Sequence, residues 1–207
     1  MKNNIVCLAL ALLTTVVARG QEVKYGKVDP TDFVPDAHLV DSAAVATVIY
    51  RDVYLYYKYV KGSGFNQYRD VHERIKINKK DGYDYATISE ALYHSKNGKE
   101  GIGSLKGVTY NLVDGKVTED KLKRSDVFIE ALNSYYDLHK FTMPNVREGS
   151  IIEYRYTVHS PFAYSIDEIQ MQYDIPIHRQ QVRLEIPEYM VFTPRVKGYL
   201  PLMPEYG

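Results

Sequence analysis

The side chains that carry out metal binding and proton transfer are present in this chain, but their spacing is not that of a known site. Six histidines occur, and none forms HExxH or another short metal-ligand spacing: His38, His72, His94, His139, His159 and His178. Asp137 and His139 could together orient a metal or a proton relay, although such a pair is common by chance. We therefore expect structural or surface roles for the histidines and no metal site.

Other catalytic arrangements are equally hard to find in the sequence. The single cysteine, Cys7, lies in an N-terminal apolar run, so the rest of the chain has no thiol nucleophile. Two adjacent acidic pairs would face opposite sides of a strand, which makes them poor acid/base partners: Glu119-Asp120 and Asp167-Glu168. The sequence also has no glycine-rich phosphate loop. We predict that these residues catalyse no reaction and hold no cofactor.

The clearest alternating pattern is in FTMPNVREGSIIEYRYTVHSPF, residues 141–162. Its apolar residues occupy every second position from Ile152 to Val158, and Glu153, Arg155 and His159 lie on the other face. This period of two predicts a strand with one buried and one wet face. The polar face could form a binding groove, or it could be a solvated face with cross-strand ion pairs. We favour the second interpretation.

Tyrosine is unusually frequent, with 20 copies and no tryptophan. Tyrosine suits a half-buried pleated surface, and it can also stack against a glycan or a peptide. The best candidates for stacking are Tyr54, Tyr56, Tyr135 and Tyr136. Packing within the protein is the alternative for each of them, and we favour it.

Short alternating segments separated by turn residues recur along the chain. The predicted strands are 43–50 and 53–60 (separated by Arg51-Asp52), 71–78, 83–94, 108–113, 116–121, 127–132, the central stretch, 169–175 and 182–186. Asp81-Gly82 and Asp114-Gly115 each predict a hairpin. Glu73 falls on the apolar side of its strand and therefore needs a partner or a position near an edge. Residues 21–38 are interrupted by prolines and should pack along the domain edge or stay loose.

This pattern predicts an all-β fold, an antiparallel β-sandwich with minor short helical turns, formed by residues 21–207 as a single domain. Residues 1–20 resemble a secretory signal peptide with cleavage after Gly20, because a short apolar run precedes small residues. We expect a periplasmic or secreted protein with no transmembrane span after cleavage. The lack of cysteine in the remainder favours a bacterial envelope. Without Lys2 and Arg19, 24 basic residues would face 26 acidic ones, which does not favour nucleic-acid binding.

Two motifs resemble the DUF3857 family. They are MPNVREGSIIEYRY, within residues 141–156, and QYDIPIHRQQVRLEIPE, residues 172–188. The resemblance extends from about Ala43 to Pro194. It implies an exported bacterial protein, notably of Bacteroidetes, in which a β-rich accessory domain commonly precedes a transglutaminase-like domain. The resemblance assigns no catalytic residue to the accessory domain. The chain is expected to be either a fragment that stops at Gly207 or a stand-alone relative.

Two functions follow as expectations. The first is a non-catalytic accessory domain that packs against, or presents substrate to, another protein domain in cis or in trans. It predicts a contiguous apolar patch near the C-terminal edge. The second is a carbohydrate-binding module that uses surface tyrosines for a glycan or peptide, and it predicts a concave sheet face lined by tyrosines instead. An enzyme in its own right is the least favoured reading.

Overall fold

The fold is built from two β-sheets packed face to face. The computed structural model describes residues 23–34, 41–193 and 195–197. The strands are β1 (Ala46–Val60), β2 (Gly64–Ile77), β3 (Thr87–Ser95), β4 (Gly98–Lys99), β5 (Gly101–Val113), β6 (Lys116–Lys121), β7 (Val127–Ala131), β8 (Tyr136–Thr142), β9 (Ile151–Ser160) and β10 (Gln180–Leu184). Short 3-10 helices span Pro30–Phe33, Lys80–Ala86 and Arg124–Asp126. The predicted all-β sandwich is confirmed.

The larger sheet has six strands in the order β10-β1-β2-β9-β5-β6, and the smaller one has four in the order β4-β3-β8-β7. All pairs are antiparallel except β1 with β10, which run parallel. The predicted central strand, β9, lies between β2 and β5 near the middle of the larger sheet. Its side chains can therefore contact the two neighbouring strands of its own sheet as well as the layers above and below.

The main core lies between the two sheets. Ile152, Tyr154, Tyr156 and Val158 of β9 all point into it, as the alternation predicted. Phe141 of β8 enters from the smaller sheet, with its ring centroid 5.6 Å from that of Tyr154 and 6.0 Å from that of Tyr156, both edge-on. Edge-to-face contacts of this kind stabilise aromatic pairs beyond their buried area.

The outer face of the larger sheet carries a second core, which the sequence did not indicate. Residues 23–33 cross this face and pack Val23, Tyr25, Val28 and Phe33 against a cluster on β1, β5 and β9: Ile49, Tyr50, Val108, Tyr110 and Ile151. The expectation that residues 21–38 lie along an edge or stay loose is therefore wrong for residues 23–33. The larger sheet is covered on both faces over this region.

The first two predicted strands are one. β1 continues through Arg51-Asp52, with an irregularity of register between Val48 and Tyr50. Arg51 does not break the strand, because its guanidinium forms an ion pair with Glu73 in the core and donates from Nη1 to the Gln170 backbone oxygen. Its Nε has no hydrogen-bond partner. A charged side chain can occupy a strand interior when an opposite charge lies beside it.

The hairpin predicted at Asp81-Gly82 does not exist. These residues lie in the 3-10 helix Lys80–Ala86, and the strands on either side of it belong to different sheets. Gly82 is required there by close packing on the Val45 backbone and not by a turn conformation. The strand predicted for residues 83–94 accordingly begins later, at Thr87. At Asp114-Gly115 the hairpin is confirmed, and both residues have positive φ, 50° and 74°.

The alternation over residues 169–175 reflects burial without strand pairing. No strand spans this segment, although Ile169, Tyr173 and Ile175 pack against the main core. The segment covers part of the opening between the sheets. Within the described residues, no helix is long and apolar enough to cross a membrane.

We expect Gly82→Ala to destabilise the protein. An added Cβ would lie 2.9 Å from the Val45 carbonyl carbon and closer still to its oxygen, and backbone atoms cannot move aside cheaply. A loss of about 1–3 kcal/mol in the free energy of unfolding should result, as for other overpacked sites. Chemical denaturation measures it. Gly101→Ala is the matched control because its added Cβ would meet no atom within 4 Å, and an equal loss in both variants would contradict the packing argument.

Candidate functional site

A cavity of about 330 Å³ lies between the two sheets. Charged side chains from both sheets line it, together with tyrosines from β9, from the 3-10 helix Lys80–Ala86 and from the segment that covers the opening. The polar and aromatic lining includes Arg51, Arg69, Glu73, Asp84, Tyr85, Glu90, Tyr154, Tyr156, Glu168, Gln170 and Tyr173. A sandwich core is ordinarily apolar, so buried charge here indicates a specialised site. The sequence placed none of its functional candidates in this cavity.

The first ionic group consists of Glu73, Arg51 and Tyr154. Glu73 is 2% exposed. Its Oε2 is 3.3 Å from Arg51 Nε and accepts a hydrogen bond of 2.9 Å from the Tyr154 hydroxyl. Burial raises the pKa of Glu73 above its usual value, and Arg51 and Tyr154 only partly offset the effect. The expectation that Glu73 requires a partner is confirmed. Its Oε1 nevertheless has no hydrogen-bond partner, which costs about 1–3 kcal/mol for a buried acceptor.

The second ionic group joins the two sheets. Arg69 of β2 donates from Nη2 to Glu90 Oε1 of β3 at 2.7 Å, and the Tyr156 hydroxyl of β9 donates to Glu90 Oε2, also at 2.7 Å. Burial, followed by the nearby charge of Glu90, raises the pKa of Tyr156 well above its ordinary range, so the phenol remains a donor. The two groups therefore repeat one composition: an arginine and a β9 tyrosine that share a glutamate.

Glu153 lies on the opposite face of β9 and has no exposed surface. Four donors surround its carboxylate: His72 Nε2 and Arg74 Nη2, each at 2.8 Å from Oε1, and Gly26 N at 2.9 Å and the Tyr110 hydroxyl at 3.1 Å from Oε2. Burial acts to raise the pKa of Glu153, but the His72 hydrogen bond, the Arg74 charge and the Gly26 N–H outweigh it, so the pKa is lowered. The prediction of a wet polar face is wrong at this position because residues 23–33 cover it.

Arg155 and His159 continue along the same face but do not form one groove with Glu153. Arg155 is exposed, and its guanidinium lies 4.6 Å from the centre of the Tyr25 ring. His159 is half-buried, with Nε2 3.0 Å from the amide nitrogen of Asn66. The predicted polar trio is therefore divided into one buried anion and two more accessible side chains. Their proposed role in binding stays a prediction.

The four tyrosines predicted to stack on a ligand belong to two different surfaces. Tyr54 and Tyr56 lie on the outer face of the larger sheet, and their rings stack at 4.8 Å. Tyr56 stacks in turn on Tyr68 at 5.5 Å. Tyr135 is 60% exposed next to β8 of the smaller sheet, and Tyr136, at the start of β8, packs edge-on against Tyr93. The structure thus pairs Tyr54 with Tyr56 and does not bring the four together.

An exposed aromatic patch lies where the β1–β2 hairpin meets the C-terminal part of the described chain. Phe65 contacts Tyr59 and Tyr189 edge-on, with ring centroids 5.3 Å and 5.5 Å apart. Tyr59 and Tyr189 are 66% and 65% exposed, and Val191 nearby in sequence is 92% exposed. We call Tyr59, Phe65 and Tyr189 the aromatic patch. The accessory-domain hypothesis predicted an apolar patch near the C-terminal edge.

The Asp137-x-His139 pair does not act as a unit. Lys99 Nζ donates to Asp137 Oδ2 at 2.6 Å, and His94 Nε2 is 3.6 Å from Oδ1. His139 Nε2 is buried and has no hydrogen-bond partner. In the part of the chain that the structure describes, no three His, Cys, Asp or Glu side chains are grouped to hold a metal ion.

Comparison with known proteins gives a family match over residues 65–202, to a domain of unknown function with a solved structure, DUF3857. The chain belongs to the DUF3857 family. The match begins at the start of β2, so β1 lies outside it, and it reaches further toward the C-terminus than the two sequence motifs suggested. No curated protein matches this DUF3857 chain.

The DUF3857 fold also matches a crystal structure described as a "putative protease" from Parabacteroides distasonis, with a TM-score of 0.54 and 13% identity. The match covers 70% of this chain and 29% of the other. The present chain therefore spans less than a third of that protein's length. At this identity the likeness concerns the fold.

Sequence reasoning missed the cavity because its charges come from segments far apart in the chain. Arg51 appeared as a strand break, and Arg69 and Glu90 were in no motif. Glu73 was the one usable signal, since a carboxylate at an apolar position implies a buried partner. The identity of that partner depends on the register in which Arg51 lies opposite Glu73.

Glu153→Gln and Glu73→Gln should alter the pH dependence of stability in opposite directions. The pKa of Glu153 is lowered from 4.5, so its ionised form stabilises the fold above that pH, and the contribution is lost as pH falls through the folded-state pKa. The pKa of Glu73 is raised from 4.5, so its contribution is complete below pH 4.5 and is lost as pH rises through the folded-state pKa.

Urea denaturation from about pH 2 to 7 measures both effects, because the Glu153 contribution changes below pH 4.5 and the Glu73 contribution above it. The stability advantage of wild type over Glu153→Gln should increase toward neutral pH and reach about 3–5 kcal/mol, as when one partner of a buried ion network is removed. The advantage over Glu73→Gln should decrease over the same range. Slopes of the same sign for the two variants would contradict the assignment.

Proposed function

We propose that this chain is a non-catalytic interaction domain of an exported bacterial envelope protein, and that it packs against or presents substrate to another protein domain. From the family resemblance, the expected partner is a transglutaminase-like domain in cis or in trans. The aromatic patch is the observation that carries this proposal. Its three rings are in mutual contact through Phe65 and expose most of two tyrosines. Isolated surface hydrophobics are ordinary, but contiguous ones mark interaction sites.

The fold comparison supports the same proposal. In the Parabacteroides distasonis protein, the matching region accounts for 29% of the chain, so the fold there is part of a longer polypeptide. The description "putative protease" applies to that protein as a whole. For the present chain, the partial coverage of that longer protein supports an accessory role beside a larger functional unit. Export is proposed from the signal-peptide pattern of residues 1–20.

The hydrogen bonding of the buried carboxylates also supports a non-catalytic role. Glu153 and Glu90 are each held on both carboxylate oxygens by donors from other strands. Such groups are fixed by the fold and are poorly placed to exchange protons with a substrate. A catalytic acid or base must instead reach the reacting group directly or through one water.

The tyrosine row on the larger sheet favours carbohydrate binding as a second candidate. Tyr54, Tyr56 and Tyr68 lie side by side on neighbouring strands, as a stacking platform would require. Their faces, however, are turned toward one another, and Lys58 Nζ lies 5.0 Å from the centres of both the Tyr56 and Tyr68 rings. A sugar would have to displace these contacts, so we rank this candidate below the interaction domain.

Site-specific photo-crosslinking tests the interaction domain. A benzophenone amino acid is placed at Tyr59 or at Tyr189 in the full protein as made in its own cells. Both positions should yield the same discrete adduct, with the crosslinked peptide mapping outside residues 23–197, because they lie on one patch. Lys116, exposed in the β5–β6 hairpin, is the control position and should give no such adduct. Adducts from Lys116 alone, or none from Tyr59 and Tyr189, would contradict the proposal.

Affinity electrophoresis in polysaccharide-containing gels tests the second candidate. Because the Tyr54 and Tyr56 rings are already stacked on each other, we expect the mobility of wild type to be unchanged by the polysaccharide. Tyr54→Ala and Tyr135→Ala probe the two tyrosine surfaces separately. Retardation of wild type that either substitution abolishes would favour the carbohydrate-binding module over the interaction domain.

A further inference from the structure

We propose that the cavity between the sheets is a binding site for a small organic cation that carries a primary ammonium group. This inference concerns the ionic cavity and uses no residue of the aromatic patch. It therefore stands or falls separately from the proposed function.

The charge of the lining favours a cation. Four carboxylates line the cavity, and only two guanidinium groups do: Glu73, Glu90, Asp84 and Glu168 against Arg51 and Arg69. Arg51 and Arg69 are each already engaged by a glutamate, at 3.3 Å and 2.7 Å. Of the carboxylates at the rim, Glu168 has an exposed ion pair with Lys197, and Asp84 is exposed. Arg51 offsets Glu73 and Arg69 offsets Glu90, so the excess negative charge of the lining lies at the rim, on Asp84 and on the Glu168 that Lys197 partly offsets. This excess repels an anionic ligand and attracts a cationic one.

An unmatched acceptor supplies an independent reason to expect a donor. Glu73 is 2% exposed and lines the cavity, and its Oε1 has no hydrogen-bond partner, as is also true of the Arg51 Nε donor beside it. Its other oxygen already receives the Tyr154 hydroxyl. A buried carboxylate oxygen without a donor is rare in folded proteins, because the lost hydration is not replaced. An ammonium group, with three N–H donors, could bond to this oxygen and still reach a second acceptor.

The walls also suit a cation. The cavity is lined by the four tyrosines Tyr85, Tyr154, Tyr156 and Tyr173, whose ring faces carry partial negative charge. One of these rings already holds a cation, since the Arg51 guanidinium carbon lies 5.4 Å from the centre of Tyr173. Tyrosine walls bind the apolar body of an alkylamine as well as its charged end.

The volume limits the size of the ligand. At about 330 Å³ the cavity is at the lower end of the range for small-molecule pockets. It can take an amine with a short aliphatic or amino-acid-sized body, but not a long peptide or an oligosaccharide. The proposed ligand class is therefore a small primary amine.

Isothermal titration of the full protein with n-butylammonium tests the proposal, with butyrate and 1-butanol as probes of matched size. Butylammonium should bind saturably and raise the melting temperature. Butyrate and 1-butanol should do neither, since one repels the carboxylates and the other brings no charge. Equal binding of all three probes, or no saturable binding of butylammonium, would overturn the proposal.

Glu73→Gln should weaken butylammonium binding about tenfold or more, the change that corresponds to loss of one charge-assisted contact. Glu119→Gln is the matched control because Glu119 is exposed on β6, outside the cavity. A folded Glu73→Gln variant with unchanged affinity, or an equal loss in Glu119→Gln, would refute the assignment.

If Glu73→Gln does not fold, Asp84→Asn decides the matter, since Asp84 is exposed at the rim. It should weaken binding about two- to fivefold at low salt and less at high salt, as expected for an exposed charge. Unchanged affinity in Asp84→Asn would then count against the site.

Discussion

The Glu153 carboxylate is the constraint to which the rest of the larger sheet is fitted. It has no exposed surface, and an isolated carboxylate could not be buried there. Donors from β2, β5 and residues 23–33 together satisfy its hydrogen-bonding capacity. Removal of any one of these segments would leave a buried charge with too few donors. Since Gly26 reaches it through a backbone N–H, the N-terminal segment must lie across the sheet in one register. This polar contact fixes where the neighbouring apolar residues pack.

The buried glutamates on the two faces of the larger sheet differ in how many hydrogen-bond donors they have. On the outer face, Glu153 has four donors and a lowered pKa. On the inner face, Glu73 has fewer donors, an unmatched oxygen and a raised pKa. A fully satisfied buried ion serves structure, whereas a partly satisfied one beside a cavity is a place where a ligand can contribute the missing contact. The difference separates the structural centre of the domain from its candidate binding site.

The sequence predicted local features well and long-range ones poorly. The alternation of β9 correctly placed Tyr154 and Tyr156 in the core, and Asp114-Gly115 correctly predicted a hairpin, because both depend on neighbours in the chain. Asp81-Gly82 has the same turn chemistry but joins strands of different sheets, and nothing local distinguishes the two cases.

The candidate site depended on distant segments, and its prediction failed for that reason. The outer face of β9 was predicted to be exposed to solvent. Residues 23–33 contain no regular strand pattern from which a covering segment could be predicted. Arg51 and Glu73 meet only through the antiparallel register of β1 and β2. Arg69 and Glu90 meet only because the two sheets stack, a relation that alternation within a single strand cannot specify.

The parallel pairing of β1 with β10 has a consequence for how the chain acquires this structure. β1 lies second from one edge of its sheet, and the strand that shields that edge, β10, comes after the other nine described strands in the chain. Until Gln180–Leu184 emerges, the backbone groups of Arg51 to Leu55 that face β10 remain open to other extended chains. Contacts of such large sequence separation also form slowly, because the intervening chain must be ordered first. The nascent protein can therefore associate wrongly with other chains through this edge until β10 docks on β1.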